Sequence, residues 1–110
     1  MTSHVQLPEL THLQIAVLGF LVAEPSRGSE VRARLRRLGV RQTGPAFYQM
    51  MARLEEAGLA EGWYDQKVVA GQIIKERHYR ITPAGRRAWR EARDFYRQIL
   101  GSTRPAVARG

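Results

Sequence analysis

The sequence predicts a mainly α-helical (α+β) fold: a winged helix-turn-helix domain with a two-stranded wing and a C-terminal dimerisation helix. Residues 28–59 contain two amphipathic helical patterns separated by a short glycine-containing turn, which is typical of a helix-turn-helix unit. Hydrophobic residues in the segment 59–81 then recur with a period of about two, as in β-strands. Thr82 and Pro83 form a helix start before a broadly apolar segment, which predicts the last helix.

The chain has 110 residues and a formal net charge of +8, and most of its basic residues are arginines. This length predicts a single domain with a modest core. The planar guanidinium of arginine suits phosphate groups and guanine edges, so the charge favours a nucleic acid or an anionic membrane surface as partner. A GC-rich genome explains the use of arginine in place of lysine, but it explains the net positive charge less well.

Several classes of function are not supported by the sequence. The chain lacks cysteine, and no apolar run approaches the ~18 residues that cross a bilayer. The N-terminus lacks the pattern of a signal peptide, so a cytoplasmic protein with no membrane partner is expected. His4, His12 and His78 share no metal-ligand spacing with one another or with carboxylates, and Glu55 and Glu56 point to different faces of a helix. With no glycine-rich phosphate loop or nucleophile elbow either, we expect no enzyme activity, metal or cofactor.

The chain divides into four predicted parts. Residues 1–9 form a polar N-terminal arm, and residues 10–82 form the winged helix-turn-helix domain. Residues 83–100 form the dimerisation helix, and residues 101–110 form a disordered basic tail.

The first predicted helix, residues 10–23, has apolar residues on two sides. One side would face the core and consists of Leu10, Leu13, Val17, Phe20 and Leu21. The other side consists of Ile15, Leu18 and Val22. A helix at the surface of a small monomer needs only one apolar stripe, so the second stripe indicates contact with a partner subunit. A fully buried central helix explains the second stripe equally well.

The helix-turn-helix unit begins after Pro25, which ends the first helix, and Ser26, which we expect to cap the second helix over residues 28–38. The third helix is predicted over residues 43–57, with Thr43 as its cap. Its buried stripe at helical spacing consists of Phe47, Met50, Met51 and Leu54. The opposite face is short and mostly uncharged near its N-terminal end, which allows close approach to another surface.

The wing is predicted as two strands, residues 59–65 and 75–81, which contain aromatic and branched residues. Ala70 and Gly71 provide a hairpin tip between them. The apolar residues of the intervening segment are unusual for an exposed wing, and they are Val68, Val69, Ile73 and Ile74. They either pair across the hairpin or pack on the protein, and the sequence does not distinguish these two arrangements.

The last predicted helix has a broad apolar face, for which a small winged domain offers little core. Pairing with a second copy is therefore the favoured interpretation. The predicted dimer interface consists of Ile15, Leu18, Val22, Trp89, Ala92, Phe95, Tyr96 and Ile99. Trp89 and Tyr96 lie seven residues apart on one face, so they could line an interface pocket in which a planar small-molecule effector stacks. Packing between the two subunits is the simpler interpretation of the same pair.

In this order, the elements resemble the PadR-like family of winged-helix transcriptional regulators over residues 10–100. The segments that carry the resemblance are LTHLQIAVLGFL, GSEVRARL, FYQMMARLEEAGL and RHYRITPAGRRAW. The resemblance implies a homodimeric, repressor-type regulator of the smaller subgroup, which has a single short C-terminal helix and includes members that sense drugs. Its third helix would enter the major groove, and its wing would lie against the backbone or minor groove. Ala46 and Ser29 depart from the family pattern, in which a threonine and a large residue such as tyrosine are common.

Binding of double-stranded DNA would use the exposed face of the third helix, with Gln49 reading adenine and Arg53 reaching a phosphate or guanine. The predicted DNA-binding residues are Arg34, Arg37, Gln42, Thr43, Tyr48, Gln49, Arg53, Lys67 and Arg77. Two such helices about 34 Å apart in a homodimer predict an inverted-repeat operator. Two alternatives remain: a winged-helix protein–protein interaction module whose charge serves solubility, and a non-specific nucleic-acid-binding protein.

Overall fold

The computed structural model describes residues 9–102, which form four helices and a three-stranded antiparallel sheet. The elements are α1 His12–Ala23, β1 Ser26–Arg27, α2 Gly28–Arg37, α3 Gly44–Glu56, β2 Ala60–Val69, β3 Gln72–Ile81 and α4 Pro83–Ser102. The strands lie in the order β1-β3-β2. This architecture confirms the predicted α+β winged-helix class, although the short strand β1 was not predicted.

Two helix ends differ from the prediction by two residues, and the other differences are of one residue. α1 begins at His12 because Thr11 and Gln14 form a capping box. In this box Thr11 Oγ1 accepts a hydrogen bond from Gln14 N at 3.1 Å, and Gln14 Oε1 accepts one from Thr11 N at 3.0 Å. α4 extends through Gly101 and Ser102, which the sequence assigned to the tail. The rest of the predicted tail, residues 103–110, and the predicted arm through residue 8 lie outside the described residues.

The start of α2 corrects the prediction that Ser26 caps this helix. Ser26 lies in strand β1, paired with Tyr79 of β3, and its hydroxyl donates to the backbone oxygen of Glu24 at 3.4 Å. The N-cap position is occupied by Arg27, whose backbone N donates to Glu30 Oε1 at 3.2 Å. The strand pairing takes Ser26 one residue away from the helix start, so its hydroxyl is not available to cap it.

The wing is a hairpin of β2 and β3 closed by a two-residue turn. Ala70 and Gly71 have φ angles of 51° and 79°, and two successive residues in this left-handed region match the hairpin turn that follows the twist of the strands. The predicted tip is therefore confirmed, and both strands extend through the segment that the sequence left between them. Of the two arrangements considered for its apolar residues, cross-strand pairing is observed, with Val68 opposite Ile73.

The core lies between the first three helices and the base of the hairpin. Its buried residues are Val17, Leu18, Leu21, Val31, Leu35, Phe47, Met50, Met51, Leu54, Ala60, Tyr79 and Ile81. The whole predicted stripe of α3 belongs to this core. On α1, Leu18 is completely buried beside Val17 and Leu21, so it belongs to the core of its own chain and not to a partner-facing stripe.

α4 approaches the rest of the domain very closely at Gly85. A Cβ atom at this position would overlap the carbonyl oxygen of Leu59 and would lie 2.7 Å from Cγ1 of Ile81. Thr82 caps α4, because its Oγ1 accepts a hydrogen bond from Gly85 N at 2.9 Å. Its backbone N donates to Leu59 O at 3.1 Å. The absence of a side chain at position 85 therefore sets the distance between α4 and the base of the wing.

Candidate nucleic-acid interface

The N-terminal half of α3 is exposed on the side opposite the core. Thr43 Oγ1 accepts a hydrogen bond from Ala46 N at 3.2 Å, which caps the helix as predicted and leaves the hydroxyl hydrogen available to a phosphate. Pro45, Gln49 and Arg53 follow at four-residue intervals, so these exposed side chains align along one face. Gln49 and Arg53 therefore share one exposed face that runs from the capped N-terminal half of α3 to its last turn, where Arg53 lies. The helix dipole favours an anion only at the N-terminal end of this face.

Tyr48 borders this face and is 42% exposed. Its ring stands edge-on to the ring of the buried Phe47, with 4.9 Å between the ring centroids. A Cβ atom added to Gly28 would lie 3.2 Å from the Tyr48 hydroxyl oxygen, so the tyrosine rests against the start of α2. The small residue at position 28 thus allows Tyr48 to sit at the junction of the two helices with its side chain still partly exposed.

Arg32 holds the turn that leads into α3, a role that the sequence reasoning missed. Its Nη2 donates a hydrogen bond to the backbone oxygen of Gln42 at 3.2 Å. Its guanidinium carbon also lies 5.8 Å from the centroid of the Phe47 ring, within the range of a cation–π contact. One side chain of α2 therefore contacts both the turn and the buried face of α3. The available signal was its place beside Val31 at the edge of the buried stripe of α2.

Gln42 is held by its backbone, and its side-chain oxygen points away from the surface. Oε1 is buried and has no hydrogen-bond partner among the described residues. It borders a small cavity of about 10 Å³, close to the volume that one water requires. The cavity is lined by Arg32, Leu35, Arg36, Val40 and Gln42. The predicted phosphate contact of Gln42 can therefore involve its side-chain nitrogen but not this oxygen.

The predicted basic residues of α2 lie in different environments. Arg37 is exposed at the end of the helix. Arg34 is half-buried, and its guanidinium carbon lies 5.4 Å from the centroid of the Phe20 ring on α1. Arg37 is therefore more accessible to a phosphate than Arg34, which also packs against its own domain.

Lys67 of the wing forms a diagonal pair across the hairpin with an acidic residue, Glu76. Its Nζ is 3.2 Å from Glu76 Oε1, and its side chain remains 54% exposed. The hydrogen bond from Lys67 is the main reason that the pKa of Glu76 lies below its ordinary value. Arg27 adds a second positive charge at 3.5 Å from the other oxygen of Glu76. Lys67 can reach a phosphate only in competition with this carboxylate.

Arg77 connects the wing to α3. Its Nη2 is 2.7 Å from Glu55 Oε1, and its guanidinium carbon lies 4.8 Å from the centroid of the Tyr64 ring. Arg77 lies two residues before the buried Tyr79, and strand alternation places both on the same side of the sheet. The side chain is only 25% exposed, which favours a role in holding the wing against the helix over a direct contact with a DNA backbone.

The aromatic residues of α4 contact α1 of the same chain. A Cβ atom on Gly19 would lie 3.0 Å from Trp89 Nε1, so the indole rests directly on this glycine. The Tyr96 hydroxyl oxygen lies 3.4 Å from His12 Nδ1 near the start of α1. Phe95 stands edge-on to Tyr96 with 5.2 Å between the ring centroids. The Trp89–Tyr96 pair is therefore divided between two contact points along α1, and both rings remain partly exposed.

The predicted dimer residues differ in how much surface they offer. Leu18 and Ala92 have 0% exposure within one chain, so the prediction that they contact a second subunit is wrong. Helical periodicity correctly placed Leu18 and Ala92 on apolar faces of their helices. Periodicity alone does not show which of these faces is covered by the rest of the same chain. Ile15, Val22 and Phe95 are partly exposed, together with Trp89, Tyr96 and the more exposed Ile99.

Residues 9–102 offer no group of three or more histidine, aspartate and glutamate side chains arranged to hold a metal ion. None of the helices in that part of the chain is long and apolar enough to cross a membrane.

A helix-turn-helix unit with an exposed second helix, followed by an antiparallel hairpin, defines a winged helix-turn-helix protein. The family model of the transcriptional regulator PadR-like family matches residues 17–91 of this chain. The chain therefore belongs to the PadR-like family, whose members are transcriptional regulators with a DNA-binding winged-helix fold and not enzymes. This finding confirms the resemblance drawn from the sequence segments. Among proteins with curated functions, none matches the chain significantly.

Solved structures of several family members share the fold. A PadR family transcription regulator from Clostridium difficile R20291 has a TM-score of 0.72 and 17% identity, covering 84% of this chain and 94% of that one. A PadR family transcriptional regulator from Eggerthella lenta DSM 2243 has a TM-score of 0.66 and 27% identity, with coverages of 82% and 76%. A PadR-like transcriptional regulator from Bacillus cereus strain ATCC 14579 has a TM-score of 0.67 and 21% identity, with coverages of 82% and 85%.

Proposed function

We propose that this regulator is a homodimeric repressor that reads an inverted-repeat operator with α3 in the major groove and the wing beside it. The observation that carries the proposal is the exposed face of α3, which runs from the N-terminus capped by Thr43 through Gln49 to Arg53 in the last turn. A repressor of this kind acts by occupying DNA that the transcription machinery needs, and requires no catalytic group.

Specific contacts come from the exposed face of α3. The amide of Gln49 can accept from adenine N6 and donate to N7, and Arg53 can donate two hydrogen bonds to guanine or bind a phosphate. Ala46 at the start of the helix has no hydroxyl, so this position allows close approach to DNA without a polar contact of its own. Thr43 and Tyr48 supply hydroxyl groups for the phosphates that flank the helix N-terminus.

Binding to the backbone comes from the basic residues around α3. Arg37 is exposed at the end of α2, and Lys67 is exposed on the wing. Arg34 contributes positive charge although it packs on Phe20. These residues neutralise phosphates irrespective of sequence, so this part of the affinity weakens as salt concentration rises. Arg77 supports the wing from inside the domain through its contact with Glu55.

Dimerisation is assigned to α1 and α4. Ile15, Val22 and Phe95 keep exposed apolar surface on these two helices, which pack against each other within one chain. A two-fold axis along this surface would place two copies of α3 about one turn of DNA apart, which predicts an inverted-repeat operator. Light scattering at several protein concentrations tests the dimer directly.

A planar small-molecule effector would bind where α4 meets the second subunit. Trp89 and Tyr96 each use part of the ring to contact α1 and keep part exposed, so two copies facing each other could stack on a flat aromatic ligand. Trp89 also lies 5.3 Å below the guanidinium carbon of Arg93. Quenching of Trp89 fluorescence by a planar aromatic dye, measured in a Trp63→Phe background, tests this assignment.

The decisive experiment is fluorescence anisotropy of a labelled duplex from the gene's own upstream region, titrated at two salt concentrations with random-sequence competitor. We expect binding that survives competitor and a footprint with two-fold symmetry. Gln49→Ala should weaken binding to that duplex by about tenfold or more and relax the preference at one base position. Gln98→Ala is the matched control, because Gln98 is an exposed residue of α4.

The alternatives give different results in the same assay. Binding that random competitor abolishes would identify a non-specific nucleic-acid-binding protein. No binding even at low salt would refute the repressor and leave a winged-helix module that binds protein. Equal losses for the two glutamine variants would show that α3 does not read the operator.

A further inference from the structure

The wing ends in a group of four branched apolar side chains that water surrounds. Val68, Val69, Ile73 and Ile74 are 70%, 45%, 67% and 37% exposed, and we refer to them as the apolar tip. The base of the same hairpin is buried, with Ala60 and Ile81 in the core. At about 3.3 Å per residue, the strands carry the apolar tip roughly 25 Å beyond this base.

The apolar tip has two faces. Val68 lies opposite Ile73, so these two side chains point to the same side of the hairpin. Val69 and Ile74 are each adjacent in sequence to one of them, and strand alternation directs them to the other side. The hairpin therefore ends in a narrow element with branched apolar groups above and below it, closed by the small residues Ala70 and Gly71.

The charge around the apolar tip has one sign. From residue 66 to residue 75 the chain contains Lys67 and Lys75 and no carboxylate. The carboxylate that follows, Glu76, is engaged by Lys67 and Arg27. Such a segment suits a polyanion better than an acidic or neutral protein surface, because Lys75, and Lys67 in competition with Glu76, can neutralise phosphates beside the apolar groups.

We infer that the apolar tip inserts into the minor groove of the operator and acts as a wedge that opens a base step and bends the duplex. The inference rests on the proposed function, because α3 must hold the wing beside the DNA. A groove has two walls, so both faces of the apolar tip can be covered at once, whereas a flat partner surface would cover only one. Branched apolar side chains placed between base steps unstack them and bend DNA toward the major groove by about 20–90°.

The wedge also predicts where in the operator the wing binds. Pyrimidine–purine steps such as TA and CA unstack most easily, so they should occur where the wing contacts DNA. The protein would then select these steps through the cost of deforming them, without hydrogen bonds from the apolar tip to base edges.

The test compares full-length chains on one duplex recovered by selection with the unmodified protein. Energy transfer between dyes at the two duplex ends reports bending, and permanganate reactivity reports unstacked thymines. The variant Val68→Thr with Ile73→Thr keeps the β-branching, β-propensity and charge of the wing but makes one face polar. Gln72→Thr is the matched control, because it changes a polar residue at the same end of the hairpin.

We expect the unmodified protein and Gln72→Thr to bend the duplex and to expose thymines at a fixed distance from the two-fold centre. The double threonine variant should lose both signals and bind about tenfold or more weakly, with an unchanged salt dependence. Because the changed side chains are exposed, its unfolding temperature should match that of the parent.

Four outcomes would overturn the inference. Tight, competitor-resistant binding without bending or permanganate reactivity would leave the repressor intact and remove the wedge. Equal bending by the double threonine variant would do the same. Loss of self-association in that variant, with DNA bending retained, would assign the apolar tip to protein contact. Failure to recover any duplex would refute the proposed function itself, and the wedge with it.

Discussion

Replacing Gly85 by alanine gives a prediction whose sign the structure decides. Helix propensity alone favours the substitution, since alanine is better than glycine by about 1 kcal/mol in a helix interior. The structure opposes it, because the new Cβ would overlap Leu59 O and lie 2.7 Å from Ile81 Cγ1. The obstructing atom is a backbone carbonyl that also accepts from Thr82 N at 3.1 Å, so no side-chain rotation can relieve the contact.

The expected magnitude follows from these opposing terms. Overpacking in a well-packed region costs about 1–3 kcal/mol. Displacing α4 also weakens the hydrogen bond between Thr82 N and Leu59 O, worth about 1 kcal/mol. After the propensity gain is subtracted, Gly85→Ala should lower the free energy of unfolding by roughly 1–3 kcal/mol. With a urea slope of about 1 kcal/mol/M for a small protein, the unfolding midpoint should fall by about 1–3 M.

The assay is urea unfolding followed by far-ultraviolet circular dichroism at one fixed protein concentration, so that subunit association is the same for each variant. Gly101→Ala is the matched control in the same helix, because a Cβ there meets no atom within 4 Å. It should change stability by no more than about 0.5 kcal/mol. A Gly85→Ala protein as stable as the parent would refute the argument that this glycine sets the position of α4.

Two further predictions concern Arg32 and Tyr79. Arg32→Met should weaken specific DNA binding about tenfold, because it removes the hydrogen bond to Gln42 O that holds the turn before α3. Arg36→Met is the control, since it removes the same charge from an exposed position of α2. An equal loss of DNA binding in the two variants would show that only the charge matters. Burial raises the pKa of Tyr79 to about 12 from 10.0, so the unfolded chain releases this proton first and stability should decline between about pH 10 and 12. Urea unfolding across this pH range should show that the free energy of unfolding declines less steeply in Tyr79→Phe than in the parent, whereas the exposed control Tyr64→Phe should match the parent. An unchanged decline in Tyr79→Phe would contradict the assignment of this pH dependence to Tyr79.

Local signals in the sequence were sufficient for most elements. Thr43 before an apolar pattern located the start of α3, and Thr82 before Pro83 located that of α4. The dipeptide Ala70-Gly71 located the hairpin turn. These signals act over a few residues, so they survive in the folded chain without information about distant contacts.

The misassigned residues depend on contacts between distant segments. Ser26 looks like a helix cap until β3 pairs with it through Tyr79, and Leu18 looks like a partner contact until the core covers it. Arg77 stays a predicted DNA contact, but its sequence position gives no sign that Glu55 lies 2.7 Å away, 22 residues earlier in the chain. Periodicity groups residues by face, but tertiary packing decides which faces are already used.

The same contacts separate the roles of α3 and the wing in DNA binding. On the wing, Arg77 and Lys67 face carboxylates at 2.7 Å and 3.2 Å, so they release fewer counterions to DNA than the net charge of +8 suggests. Exposed arginines such as Arg37 and Arg53 form no ion pair with a carboxylate within residues 9–102. They should therefore dominate the salt dependence of DNA binding. The apolar tip would then contribute the part of the affinity that salt does not change. Removing charge near α3 should therefore alter the salt slope, whereas making the tip polar should alter affinity and bending at every salt concentration.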